Sequence, residues 1–157
     1  MTKDVDDEKW MRLALGEAEK AERRGEVPVG AVVVLEGKVI GRGHNRPIGA
    51  NDPTAHAEIL ALRQAARRTG NYRLTGCALF VTLEPCAMCL GAAVLARVGR
   101  LVYGASDPKH GAVASLMRFP FDKMNHRPRI RAGVGAGECR RLLVEFFRAR
   151  RTKRAER

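Results

Sequence analysis

Residues 77–89 read Cys-Ala-Leu-Phe-Val-Thr-Leu-Glu-Pro-Cys-Ala-Met-Cys, and the reading of this stretch decides the fold. Its first seven residues are almost wholly apolar, with no in–out alternation, which is the pattern of a strand buried on both faces. Pro85 suits the first turn of a helix, so a strand is expected over Cys77–Leu83 and a helix from Pro85 through Ala96. Cys86 and Cys89 stand three apart in that opening turn and direct their sulfurs the same way. Unpaired N–H groups at a helix amino terminus favour thiolates.

The same punctuation occurs thirty positions upstream. Val29–Leu35 and Lys38–Gly43 are β-rich runs joined by Glu36-Gly37, the composition of a hairpin. After them comes Asp52-Pro53-Thr54-Ala55-His56-Ala57-Glu58. Here Asp52 is expected to cap a helix running to about Arg68, with Pro53 in its first turn. His56 and Glu58 then fall near the start of that helix. Elsewhere, Asp6 and Asp7 are expected to cap an opening helix, because Trp10, Met11, Ala14, Leu15, Ala18 and Ala21 keep helical spacing up to Gly25. Arg100–Tyr103 and Arg129–Val134 read as further strands, and Ala112–Met117 as a short helix. A final helix from about Gly137 to Arg151 has Cys139, Leu142, Leu143, Phe146 and Phe147 as its apolar set. Strands alternating with helices predict one α/β domain over 1–157, its sheet covered on both faces and both motifs at the strands' carboxyl ends. Residues 1–6 are expected to be disordered and 152–157 to form a basic tail.

Composition narrows the functional classes. With 157 residues and four cysteines, only two of them in a Cys-x-x-Cys pair, the chain suits a reduced metal site better than a secreted disulfide framework. Its longest apolar run, Val27–Leu35, is far short of the roughly 20 residues of a membrane span. Met1–Asp7 is acidic and lacks the apolar region of a secretory signal, so a cytoplasmic location is expected, with no membrane partner. Net charge is +12, and residues 118–157 hold 13 basic against 4 acidic side chains. A basic region concentrated in this way attracts polyanions, nucleic acid foremost; a charge-rich tail that only aids solubility is the alternative.

His56, Cys86 and Cys89 supply three zinc ligands of the types found in catalytic sites, which keep a fourth position open. A structural zinc would need a fourth donor, and Cys77, Cys139, His44, His110 and His126 are the candidates. Structural sites usually present two paired motifs, whereas this chain has one Cys-x-x-Cys, so an open site is expected. A redox pair would leave His56 and Glu58 without a role. Glu58 is about 200° from His56 around a helix, which suits a proton carrier beside the metal rather than a ligand.

His-x-Glu followed by Pro-Cys-x-x-Cys resembles the known signature of zinc-dependent nucleobase deaminases, in which the glutamate is not a ligand. The flanking residues narrow the resemblance. Glu26-Val27-Pro28-Val29-Gly30-Ala31, Asn45-Arg46-Pro47, Asp52 to Glu58, Asn71-Tyr72-Arg73-Leu74, Thr82-Leu83-Glu84-Pro85-Cys86, Met124-Asn125-His126 and Phe146-Phe147-Arg148 are together similar to the bacterial tRNA-specific adenosine deaminase family over about residues 8–151. That resemblance implies a three-layer α/β/α cytidine-deaminase-like fold with a mixed five-stranded sheet. It also implies a homodimer with one Zn²⁺ per subunit that converts adenosine to inosine at the wobble position of a tRNA anticodon stem-loop. The family's ligands carry over to His56, Cys86 and Cys89, and its proton shuttle to Glu58. Asn45 matches the substrate pocket, Asp107 the RNA groove, and Phe147 and Arg148 the end of the helix that approaches the anticodon loop. Asn45 and Asp107 are also ordinary turn or cap residues, and Phe146 suits the core. Residues 118–123 form a loop that varies in the family, and His110 stands where a smaller residue is expected.

Two other readings remain at this point. A deaminase of a free base or nucleotide (guanine, cytosine or dCMP) shares the metal motif, and only the basic terminal quarter and the flanking residues favour RNA. A riboflavin-pathway deaminase spaces its cysteines more widely. A catalytically silent RNA-binding subunit with a structural zinc would not need Glu58.

Overall fold

The structure is a computed structural model that describes residues 2–156. In chain order it contains α1 (Thr2–Arg23), β1 (Gly30–Leu35), β2 (Lys38–His44), α2 (Pro47–Ala50), α3 (Ala57–Thr69), β3 (Ala78–Leu83), α4 (Ala87–Leu95), β4 (Arg100–Ala105), a short 3-10 turn (Phe121–Lys123), β5 (Arg129–Ala132) and α5 (Ala136–Ala155). The five strands form one sheet in the order β2-β1-β3-β4-β5. β1 pairs antiparallel with both β2 and β3, whereas β3–β4 and β4–β5 are parallel. β2 therefore runs in the same direction as β3, with β1 reversed between them. The chain leaving β2 toward His56 and the chain leaving β3 toward Cys86 consequently emerge at one edge of the sheet.

Period-two alternation sends the strand side chains into two cores. Val32, Val34, Phe80 and Val102 pack with Met11 and Ala14 of α1 and Cys139 of α5. Ala31, Val33, Leu79, Val81, Leu101 and Tyr103 pack with Ala57, Ala61, Leu62 and Ala65 of α3 and Leu90, Ala93 and Val94 of α4. The result is the expected three-layer α/β/α arrangement on a mixed five-stranded sheet. α3 lies directly on the β2 backbone: a Cβ on Gly43 would stand 2.3 Å from the Ala57 carbonyl oxygen, a contact only glycine permits. No helix among the described residues is long and apolar enough to cross a membrane.

Several boundaries differ from the sequence expectations, each for a physical reason. α1 starts at Thr2, so Asp6 and Asp7 lie inside it rather than capping it, where disorder is expected over 1–6. Asp7, 1% exposed, accepts a two-pronged pair of bonds from Arg100 (2.9 and 2.7 Å) and another from Arg131 (2.6 Å), tying α1 to β4 and β5. Met1 and Arg157, the outer ends of the expected disordered segment and basic tail, lie outside the described residues. Asp52 does not cap α3; its Oδ1 accepts from the Thr54 N–H and hydroxyl (2.8 and 2.7 Å) and closes a local turn. The expected helix over Ala112–Met117 is a single turn that stops because Leu116 N and Met117 N both donate to the Gly111 oxygen. β5 ends at Ala132, and α5 continues past Arg151 to Ala155.

Candidate metal and active site

His56 and Cys86 occupy equivalent places. Each is the residue immediately before a helix, His56 at φ −78°, ψ 152° ahead of α3 and Cys86 at φ −78°, ψ 173° ahead of α4. Cys89 follows in the first turn of α4. His56 Nδ1 stands 3.6 Å from Cys86 Sγ and 3.6 Å from Cys89 Sγ, and all three ligand atoms lie within 4.8 Å of one another. A tetrahedral zinc with metal–sulfur bonds of about 2.3 Å and a metal–nitrogen bond of about 2.1 Å has a sulfur–nitrogen edge of about 3.6 Å. The residues thus fit zinc in donor type and in spacing. No other group of three or more histidine, cysteine or acidic side chains could hold an ion among the described residues.

The conceivable fourth donors stand outside this group. His44 Nδ1 faces Glu17 at 3.5 Å, and His110 faces Asp107 at 3.9 Å. His126 Nε2 lies 2.6 Å from the Val98 carbonyl. Cys77 and Cys139 are buried in the cores, and burial pushes both thiols up, Cys139 to about 11. The three-ligand group is therefore open on its fourth side as far as these side chains go.

The three ligand atoms perturb one another strongly at this separation. Hydrogen bonding from the Cys89 thiol, with a further contribution from His56, outweighs burial and brings Cys86 down to about 4, while the same bond and burial push Cys89 up. His56 is raised chiefly by its contact with Cys86. Glu58 lies in the first turn of α3, 4% exposed, with its carboxyl in hydrogen-bonding contact with Cys89. Burial raises its pKa above the ordinary carboxylate value. His56 is extended rather than helical, so the 200° separation expected between it and Glu58 does not apply, and Glu58 stands outside the ligand group.

Asn45 meets this cluster through its oxygen: Oδ1 accepts the Ala57 N–H at 2.9 Å, supplying from the end of β2 the cap that His56 lacks. The Asn45 amide nitrogen is the donor it can offer a ligand. Asp107 shapes a turn, with Oδ1 accepting from the Lys109 and His110 N–H groups at 3.0 and 3.3 Å. Phe147 is 42% exposed on α5 while Phe146 is buried, their rings edge-to-face at 5.4 Å. Arg148 is exposed beside them. These two residues lie in the α1/α5 layer rather than in the α3/α4 layer that carries the metal group.

Glu26 and Glu84 are buried acids with no role assigned by sequence reading. Glu26 accepts the Ile48 and Gly49 N–H groups at 3.2 and 2.8 Å, tethering α2 beside the start of β1. Glu84, 2% exposed, accepts from Asp107 N, Val113 N, Ala114 N, Ser115 N and the Ser115 hydroxyl. A charge set between a buried strand and Pro85-Cys86 must find partners, and that was the available signal.

The fold and the three-ligand group with a buried glutamate beside it are those of a deaminase, and residues 5–151 match the family described as MafB19-like deaminase. Within that class, the chain belongs to the tRNA-specific adenosine deaminase family. A tRNA-specific adenosine deaminase of Haemophilus influenzae is 53% identical over 150 residues, covering 94% of this chain and 87% of that protein. A solved structure from work on A-to-I editing by tRNA:A34 deaminases at the wobble position is 50% identical with a TM-score of 0.83, covering 86% of this chain and 99% of that chain. The guanine deaminase of Bacillus subtilis is 40% identical with a TM-score of 0.61, over 63% of this chain and 64% of that one. A guanine deaminase of Nitrosomonas europaea also aligns over most of the chain, at 25% identity with a TM-score of 0.77 over 88% of this chain and 83% of that one, so the fold is shared with deaminases of free bases, and the higher identity is to those of tRNA.

Proposed function

We propose that this chain hydrolyses adenosine to inosine at the wobble position of a tRNA anticodon stem-loop, as a cytoplasmic homodimer with one Zn²⁺ per subunit. The observation that carries the reading is the convergence of His56, Cys86, Cys89 and Glu58 at one sheet edge, in a chain 53% identical to a tRNA-specific adenosine deaminase. His56 Nδ1 and the two thiolates hold the metal. When bound, zinc supplies a nucleophile at neutral pH by lowering the pKa of water from about 15.7 to near 7. Glu58 would accept a proton from the water activated there and deliver it to the purine ring nitrogen as C6 is attacked. A second proton passes through Glu58 to the departing amine, so that adenosine and water become inosine and ammonia. Burial of Glu58 supports both directions of transfer.

The Asn45 amide nitrogen orients the base, and the 107–115 turn containing Asp107 walls the groove. Phe147 and Arg148 meet the loop from α5, by stacking and by charge. An anticodon loop already presents bases outside a duplex, so extrusion costs less there than in paired RNA. The homodimer is supported by α4, whose outer face exposes Met88 and Leu95, apolar residues one heptad apart on one helical stripe.

Glu58→Ala tests the mechanism. The variant is expected to keep its metal while inosine formation falls by about 10²–10⁴-fold. Ammonia release at the wild-type rate would refute Glu58 as the proton carrier.

A further inference from the structure

We infer that Glu84 is a positioning residue for this reaction: its carboxylate holds the 107–115 loop against the segment that carries Cys86, and so sets how well the cleft takes its RNA. The inference rests on the tRNA reading above and names a residue that the metal chemistry does not use. Glu84 Oε2 accepts three consecutive backbone N–H groups, Val113 at 3.0 Å, Ala114 at 2.9 Å and Ser115 at 3.1 Å. Oε1 accepts Asp107 N at 3.2 Å and the Ser115 hydroxyl. Successive amides converging on one anion form a backbone nest, normally a place where phosphate or a ligand carboxylate binds. Here the anion is the protein's own, and the loop is wrapped around it.

The neighbouring backbone completes the attachment. Glu84 N donates to the Ala105 oxygen at 2.8 Å, extending β3 against β4, and Ala112 N donates to the Pro85 oxygen at 2.9 Å. Pro85 is followed directly by Cys86, so the loop hangs from the ligand-bearing segment at two successive residues. Room for this contact exists because residue 111 is glycine: a Cβ there would stand 2.4 Å from Glu84 Cδ. Deleting the charge would leave four amides without a shared acceptor in a water-poor setting and free the loop that contains Asp107. The chemical step, carried by His56, Cys86, Cys89 and Glu58, would keep its parts. The expected consequence is a change in substrate capture rather than in turnover.

The test compares Glu84→Gln, Ser115→Ala and the double variant with the wild-type holoenzyme, using tRNA as substrate and measuring bound zinc, kcat, KM and hydrogen exchange at amides 113–115. Glu84→Gln is expected to retain zinc and to raise KM by about tenfold or more, the scale of one lost charge-assisted hydrogen bond. The fall in kcat should be smaller than the rise in KM, and exchange at 113–115 should quicken. Ser115→Ala is expected to shift KM in the same direction by less, and the double variant by less than the product of the two single effects. Loss of zinc, a fall in kcat exceeding the rise in KM, or wild-type values throughout would overturn the inference. Should Glu84→Gln fail to fold, Ser115→Ala carries the test, and an unchanged KM there is the overturning result. If the wild type leaves tRNA unmodified, the tRNA reading fails by itself; unaltered exchange at 113–115 in Glu84→Gln would still separately refute the clamp.

Discussion

The sheet edge that carries the metal group and the helix that closes the chain solve different problems. Around His56 and Cys86 the polar side chains are joined to partners distant in sequence: Asn45 to Ala57, Glu84 to Val113–Ser115, Glu26 to Gly49. On α5 the polar side chains face solvent, and basic residues crowd its last turns, with Lys153 and Arg154 at the end. Proton transfer tolerates little misplacement, since reacting groups must lie within hydrogen-bond reach, so the edge is built by cross-linking. Attraction of a polyanion depends on summed charge and tolerates displacement, so the helix is built by composition. Single changes should therefore act steeply at the edge and in graded fashion on α5.

Cys89→Ala presses hardest on this contrast. It removes one of three ligands, and metal content measured by atomic emission is expected to fall to the level of a metal-free protein, with inosine formation at background. A variant that kept stoichiometric metal would show that the ligand set has been misread.

Asp7 tests the middle ground, because it joins the α1 layer to β4 and β5. Burial, the largest influence, raises its pKa, but hydrogen bonds and charge from Arg100 and Arg131 together outweigh it and leave the carboxyl below its ordinary value of 3.8. A group with a depressed folded pKa stabilises the fold fully above its unfolded pKa, and that contribution is lost as pH falls through the folded value. Denaturant unfolding of the wild type should accordingly weaken below about pH 4. Asp7→Asn should start about 1.5–3 kcal/mol less stable at neutral pH and lose less on acidification. Parallel pH curves for the two proteins would contradict the Asp7 pairing.

Arg148→Ala is expected to have the smallest effect. Affinity for tRNA should drop only a few-fold, and the slope of log affinity against log salt should flatten by about 0.7–0.9, one phosphate contact. A loss as steep as that of Cys89→Ala would dissolve the distinction between the two regions.

The same contrast explains what could be read from sequence. β3 and the Cys86–Cys89 turn were legible because a buried strand and a helix start are local patterns. The elements misplaced by local rules are those settled by distant polar partners. α3 starts at a histidine, a poor cap by composition, because Asn45 caps it from the end of β2. Ala112–Met117 reads as a helix on apolar spacing, yet its first amides bond to Glu84, and Leu116 N and Met117 N close back on the Gly111 oxygen and end it after one turn. Asp7 has the look of a helix cap and is drawn into the interior by arginines 93 and 124 positions away. In the functional site the ligands and Glu58 were visible as a motif, whereas Glu84 and Glu26 carry no motif chemistry of their own. Only their burial, which the fold reveals, marks them.

The central claim is that this open metal site acts on an adenosine presented by tRNA. Its most direct test is to incubate the zinc-loaded protein with a pool of unmodified tRNAs and sequence them for adenosine read as guanosine. The expected result is conversion confined to the first anticodon position. An unchanged tRNA pool, with ammonia released instead from free guanine or cytosine, would contradict the account.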